Sequence, residues 1–199
     1  MPPVDDLAAA VLAAQQGDEH AFGVVYRTVQ PGLLRYLGAL VGPDAEDVAS
    51  ETWVQICRDL HKFSGTGDGF KGWAATIGRH RALDFVRARR RRPVAAYPAE
   101  ILLTVPGPED TAAAAAESAA TAAALELIGE LPRDQAEAVL LRTVVGLDAA
   151  TTGRVLGKRP GAVRMAAHRG LRSLAQRLVE PPPDQGVTPG PSDSLNELR

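Results

Sequence analysis

Between Gly153 and Val179 the chain reads GRVLGKRPGAVRMAAHRGLRSLAQRLV, with seven Arg or Lys and no Asp or Glu. A second stretch, Phe70 to Arg92, holds eight Lys or Arg and one acid, Asp84. The chemistry open to such residues is recognition of a polyanion. Ammonium and guanidinium groups pair with phosphate oxygens, and an Arg fork also fits the O6 and N7 edge of guanine. Outside the two blocks, seven basic residues face twenty-three acidic ones, a net of −16, although the whole chain carries only −2. An acidic chain with two confined basic blocks points to two nucleic-acid surfaces and to little adhesion elsewhere. A solvated helix face is the plainer account of one basic run. It accounts less well for two, each at the end of a helical pattern.

The later block has the pattern of a short helix, a turn at Gly157 and a long helix opened by Pro160, a helix-turn-helix. On the long helix Val163, Ala167, Leu171, Leu174 and Leu178 form the expected inward stripe. Gly161, Arg164, Met165, His168 and Arg172 form the outward one. A major groove admits a helix of this width, with its N-terminal residues at base edges. Lys158 and Arg159 sit in the turn, where phosphates would pass. Arg164 is the best candidate for guanine, a pairing that supplies about 1–3 kcal/mol of discrimination.

The earlier block mixes Phe70, Trp73 and Phe85 with its arginines. Aromatics beside cations suit single-stranded nucleic acid, whose bases stack while its phosphates pair; taken singly, Trp73 and Phe85 would more simply be core. The block follows SGTGDG, residues 64–69, which reads as a loop. A small, polar, flexible segment of this kind can admit one extruded base and hold it by hydrogen bonds to its edge.

Helices must position these groups. In EHAFGVVYRTVQ, Phe22, Val25, Tyr26 and Val29 recur at helical spacing; Pro31 is expected to end that helix and open the next, PGLLRYLGALVG, which stops at Gly42 and Pro43. In DAEDVASETWVQICRDLHKF, Ala45, Val48, Thr52, Ile56 and Phe63 lie near one stripe, with Asp44, Asp47, Glu51, Gln55, Arg58 and Lys62 beside it. Acids in its first turns and bases in its last suit the helix dipole. A fourth helix is expected from near Phe70 until Pro93. Residues 93–111 are Pro-rich and patternless, a linker, and the Ala-rich run after them has helix propensity without an amphipathic face. RDQAEAVLLRTVVG, with Ala136, Val139, Leu140, Thr143 and Val144 on one side, precedes the helix-turn-helix. The tail from Pro181 has the composition of disorder. The expected fold is all-α: two small helical domains, 18–92 and 122–180, an N-terminal segment 1–17, a flexible linker 93–121 that is partly an Ala-rich helix, and a disordered tail 181–199.

Several classes are excluded. No apolar run approaches the eighteen or so residues of a membrane span, and the acidic pair in MPPVDDL argues against an export signal. Cys57 is the only cysteine, so neither an internal disulfide nor a cysteine-based zinc site is available. A cytoplasmic, nucleoid-associated location fits. His20, His61, His80 and His168 are scattered without metal-ligand spacing, and there is no phosphate-cradling glycine motif and no Ser or Cys nucleophile motif. No catalytic residue, metal or cofactor is expected.

Three segments in colinear order, DAEDVASETWVQICRDL, FKGWAATIGRHRALDFVRARRRRP and LIGELPRDQAEAVLLRTVVGLDAATTGRVLGKRPGAVRMAAHRGLRSL, resemble a sigma factor of bacterial RNA polymerase, of the extracytoplasmic-function class within the sigma-70 family. They cover about two thirds of the chain. The resemblance implies that Asp44, Asp47, Glu51, Gln55 and Arg58 dock on a coiled coil of the polymerase largest subunit. It implies that the loop and the helix after it capture a flipped base of the −10 element and hold the melted non-template strand, through Ser64, Gly65, Thr66, Asp68, Phe70, Lys71, Trp73, Arg79, His80, Arg81 and Arg87. The −35 duplex would be read by Lys158, Arg159, Gly161, Arg164, Met165, His168 and Arg172. Implied partners are core RNA polymerase, through that coiled coil and the flap, promoter DNA, and an anti-sigma factor, without membrane insertion. The sequence departs from the family in three places. His80 stands where Asn is common. Thr151-Thr152-Gly153 replaces an acid and a large aliphatic, and Arg159 replaces a Ser or Thr cap. Gly and Thr propagate a helix poorly, so a marginally stable second domain is expected. The competing reading is a conventional helix-turn-helix regulator that does not bind core polymerase.

Overall fold

The computed structural model describes residues 4–91 and 112–179. The linker expected at 93–111 and the tail expected at 181–199 lie outside the described residues. Those residues form helices α1 (Val4–Gln15), α2 (Glu19–Val41), α3 (Ala45–Asp59), α4 (Gly67–Arg91), α5 (Ala112–Gly129), α6 (Arg133–Val139), α7 (Ala149–Leu156) and α8 (Pro160–Val179), with no strand among them.

The first unit, α1 to α4, is built on α2. Asp18 caps it by accepting a hydrogen bond from the Ala21 amide at 2.9 Å. The expected break at Pro31 does not occur: α2 runs unbroken from Glu19 to Val41 with Pro31 inside it. An interior proline costs a helix about 3 kcal/mol. Here the two halves share one buried stripe, Val25, Val29, Leu33, Tyr36 and Leu37, and burying each large side chain returns roughly 1.5–3 kcal/mol. Pro31 itself faces solvent. Along α3 the stripe Ala45, Val48, Thr52 and Ile56 is buried as the spacing required, and Trp53 joins it. The N-terminal segment contains helix α1, whose Leu7, Val11 and Ala14 complete this core. Helix α4 starts three residues earlier than its sequence pattern suggested. Thr66 is the reason: its hydroxyl accepts from the Gly69 amide at 3.2 Å and its carbonyl from the Phe70 amide at 2.9 Å. Only residues 63–66 remain irregular before the helix.

The second unit packs α6 and α7 against α8. A π-type turn, Leu140–Val144, follows α6, and Gly146 at φ 78° reverses the chain. The inward face of α8 differs from the expected stripe. Val163, Ala166, Ala167 and Gly170 are buried, whereas Leu171 and Leu178 are 47% and 74% exposed. Small residues take those positions because α6 comes so close: a Cβ on Gly170 would sit 2.8 Å from a Val139 methyl. Gly153 has a comparable reason. A Cβ there would lie 2.5 Å from the Lys158 carbonyl oxygen, in the turn where the Lys158 amide donates to the Gly153 carbonyl at 2.8 Å and Gly157 is left-handed. The residue that propensity marks as a liability is the one that admits the turn.

The units touch along α2, α4, α6 and α7. Gly32 lets the Val144 carbonyl approach, Gly72 sits under Thr151, and one continuous apolar cluster runs from Leu7 to Val155.

Candidate nucleic-acid interface

Three rings form the floor of the loop at residues 63–66. Phe63, Phe70 and Trp73 have centroids 5.2, 5.3 and 5.6 Å apart. Phe70 is fully buried and supports the loop from beneath, so its ring is not offered to a base. Trp73 is half-buried at the mouth, and Ser64, Gly65 and Thr66 are exposed. Behind them α1 supplies a residue that sequence reasoning did not single out. The Gln15 amide donates to the Leu60 and Phe63 carbonyls at 2.8 and 2.7 Å, tying the chain on the N-terminal side of the loop. Asp68 and Lys71 pair with each other at 3.5 Å across the first turn of α4.

Along α4 the cations meet different neighbours. His80 is exposed, and Arg87 pairs with Asp84 at 3.1 Å on the surface. Arg81 donates to the Gln55 side chain at 2.9 Å, so a residue expected on the polymerase-binding face instead touches one expected on DNA. Between α3 and α4 a groove of about 580 Å³ is lined by Gln55, Asp59, Lys62, Trp73, Ile77, His80, Arg81 and Asp84, two carboxylates against two cations. A nucleotide strand could lie there with stacking and cationic groups to hand. Arg79 points the other way, to Glu137 of α6, at 2.8 Å.

On α3, Asp47, Glu51 and Arg58 are exposed along one side. Asp44 is tied to Arg89 at 2.6 Å. Gln55 also donates to Asp59, whose carboxyl is held below the usual range by hydrogen bonds from Lys62 and Gln55. Val54, 53% exposed between Glu51 and Arg58, adds an apolar contact to this face. A lone valine among charges gave no periodic signal.

In the helix-turn-helix, Asp148 caps α7, accepting from the Thr151 amide at 2.6 Å. That hydrogen bond keeps the Asp148 carboxyl below its ordinary value. The αL turn then delivers α8 with Gly161, Arg164, Met165, His168 and Arg172 all exposed along one face. Arg159 is exposed at its start, while the Lys158 ammonium pairs with Asp134 of α6 and lowers that carboxyl's pKa. The structure therefore gathers the expected −35 residues on one helix end. It divides the residues expected at −10: Ser64, Gly65, Thr66, His80 and Arg87 are exposed, whereas Phe70, Lys71 and Arg79 are largely enclosed.

Residues 25–92 match the family described as Sigma-70 region 2, and residues 121–174 match Sigma-70, region 4. The chain is 36% identical over 187 residues to the ECF RNA polymerase sigma factor ShbA of Streptomyces griseus, a match spanning 86% of this chain and 96% of ShbA. It is 36% identical over 183 residues to SigD of Mycobacterium tuberculosis, covering 87% and 84% of the two chains. Among solved structures, CnrH in complex with the cytosolic domain of CnrY has the same fold, with a TM-score of 0.62 and 22% identity over 87% of this chain and 97% of that one. So does RpoE of Bartonella quintana in complex with the anti-sigma factor NepR, with a TM-score of 0.58 and 22% identity over 79% and 96%. With both of its helical units matched and ShbA covered over 96% of its length at 36% identity, the chain belongs to the sigma-70 family, as an RNA polymerase sigma factor of the extracytoplasmic-function class.

Proposed function

We propose that this sigma factor divides promoter recognition between its two basic surfaces. The α8 face from Lys158 to Arg172 reads duplex DNA at the −35 element. The 63–66 loop, Trp73 and the Arg81, His80 and Arg87 side of α4 hold the melted non-template strand at −10. The exposed side of α3, Asp47, Glu51, Val54 and Arg58, docks on the core enzyme. The protein makes and breaks no covalent bond. Strand opening is driven by capture of an unstacked base, each stacking contact contributing about 1–3 kcal/mol. It works in the cytoplasm, and a protein inhibitor of the kind NepR is for RpoE is an expected partner.

The observation that carries this reading is the difference between the two surfaces. One is a basic helix end shaped for a groove; the other is a polar loop over an aromatic floor, beside a groove of mixed charge that Trp73, His80 and Arg81 help to line. A duplex-only regulator has no use for the second. The test separates the roles. Asp47→Lys with Glu51→Lys abolishes pull-down of core polymerase while leaving the unfolding midpoint unchanged, because both side chains are exposed. Arg164→Ala leaves core binding intact and weakens duplex promoter binding. Core binding that survives the charge reversal would refute the assignment of α3.

A further inference from the structure

The arginines of α4 differ in the kind of partner each has. Arg79, Arg87 and Arg89 pair with the carboxylates of Glu137, Asp84 and Asp44. Arg81, which lines the groove between α3 and α4, is held instead by an uncharged amide: its guanidinium donates to Gln55 Oε1 at 2.9 Å. The same amide donates from Nε2 to Asp59, one turn further along α3, and the other Asp59 oxygen accepts from Lys62 at 2.6 Å. The two neighbours fix which way the amide points. Turned over, it would set its NH₂ group against a guanidinium and its carbonyl against a carboxylate. Gln and Asp four residues apart make a favourable pair on a helix, and the hydrogen bonds from Lys62 and Gln55 hold the Asp59 carboxyl below its usual range. Lys62, Asp59, Gln55 and Arg81 thus form a row of donors and acceptors along the groove, braced at Asp59. Gln55 is half-buried toward α4, whereas Asp47, Glu51, Val54 and Arg58 are exposed along the outer side of α3.

We infer that Gln55 is a positioning residue of the strand-binding groove rather than a contact with core polymerase: it fixes the Arg81 guanidinium and leaves its charge for a phosphate of the melted strand. An arginine with no partner keeps its charge but loses side-chain entropy when it meets a ligand. A carboxylate partner removes that cost and cancels the charge. A neutral amide removes the cost alone, and the guanidinium keeps N–H groups to spare for a phosphate. The two carboxylates that line the groove each have a cation, Lys62 on Asp59 and Arg87 on Asp84, so among the described residues no ion pair offsets Arg81. Trp73 lines the same groove, which puts a stacking ring and a preset cation on one path. This role rests on the assignment of the groove to the melted strand. It goes further in naming the side chain that prepares Arg81, a residue the resemblance in sequence gave to the polymerase.

The test uses holoenzyme reconstituted from core polymerase and the full chain, with Gln55→Met, Arg81→Ala and their double variant beside the parent. Methionine keeps the length of the side chain and removes its polar groups. Core binding is read by pull-down. Strand binding is read by the anisotropy of a short fluorescein-labelled single-stranded oligonucleotide of mixed sequence over a range of salt, with core alone as the blank. Gln55→Met should pull down core as the parent does and bind the oligonucleotide about three- to tenfold more weakly. Arg81→Ala should weaken binding at least as much and flatten the slope of log K against log salt by about 0.7, one phosphate contact on a single strand. In the Arg81→Ala background Gln55→Met should change nothing further, since nothing is left to position; a merely structural role would cost the same in both backgrounds. Gln55→Glu, which still accepts from Arg81 but cancels its charge, should weaken binding and flatten the slope as Arg81→Ala does. Loss of core pull-down by Gln55→Met would return the residue to the polymerase face and overturn the inference. So would a Gln55→Met effect that persists without Arg81, a Gln55→Met or Gln55→Glu protein that binds like the parent while Arg81→Ala does not. If Arg81→Ala itself leaves affinity and salt slope unchanged, the strand does not lie in this groove, and the role of Gln55 falls with that assignment.

Discussion

Gly153→Ala is a substitution for which helix propensity and packing give opposite signs. Alanine is favoured over glycine in a helix interior by about 1 kcal/mol, and Gly153 lies within α7. On that ground the variant would be more stable. The turn says otherwise. The new Cβ would lie 2.5 Å from the Lys158 carbonyl oxygen, against 3.4 Å for ordinary contact, so backbone must retreat by about 0.9 Å. The atom in the way belongs to the main chain and cannot swing aside. It also belongs to the residue whose amide donates to the Gly153 carbonyl at 2.8 Å. Overpacking of this kind costs typically 1–3 kcal/mol, and stretching the hydrogen bond about 1 more. After the propensity gain is subtracted, the expected net loss is about 1–3 kcal/mol. For a chain of this size that is a fall of roughly 2–10 °C in Tm. Urea unfolding followed by far-UV circular dichroism reads the loss, and hydrogen exchange at the α7 and α8 amides places it. Gly38→Ala is the control: it sits inside α2 with nothing within 4 Å of the added Cβ, so it should stabilise by about 0.5–1 kcal/mol. A Gly153→Ala protein as stable as its parent, or more so, would refute the packing argument.

Tyr36→Phe removes a buried hydroxyl that has no hydrogen-bond partner of good geometry, in a place where burial already pushes the phenol pKa up. The variant is expected to be no less stable, with a gain of up to about 1–2 kcal/mol in denaturant unfolding; a loss of that size would place the hydroxyl in the Arg79–Glu137 network. Gln15→Leu should leave core binding intact but lower permanganate reactivity of the melted −10 strand in the reconstituted open complex. Gln15→Glu should not rescue it, because the two carbonyls need donors; equal opening by the Leu variant would remove Gln15 from any positioning role. Acid acts on the helix-turn-helix through Asp148. Its folded pKa lies below its unfolded value, so its contribution is present above the unfolded value and is lost as pH falls through the folded one, below about pH 4. Hydrogen exchange in α7 should accelerate across that window. Asp148→Asn, which still caps, should flatten the dependence; an unchanged acid profile would contradict it.

The sequence discloses whatever is settled within one helix. The buried side of α3 follows from the spacing of Ala45, Val48, Thr52 and Ile56, and the exposed face of α8 from that of Gly161, Arg164, Met165, His168 and Arg172. What one helix does to another is not written in its own period. Leu171 and Leu178 fit an inward stripe until α6 presses so close that only Ala166 and Gly170 fit there. Pro31 is a break by local rules and is overridden by a buried stripe that spans it. Gly153 looks like a weak helix residue because the carbonyl that requires it is five positions on. Glu137 reads as one more solvated acid, since nothing in RDQAEAV reveals that Arg79, fifty-eight residues earlier, will bury it. Phe70 reads as a ring for bases for the same reason: its burial depends on Phe63 and Trp73 closing over it.

Reconstituted transcription decides whether the two basic surfaces work as one promoter reader. Purified core polymerase is mixed with this chain and with fragmented genomic DNA of its source, and transcript 5′ ends are mapped. The added subunit should direct initiation at a discrete set of new sites, lost together with Arg164→Ala and with Asp47→Lys and Glu51→Lys. The same pattern of transcripts with and without the subunit would contradict the whole account.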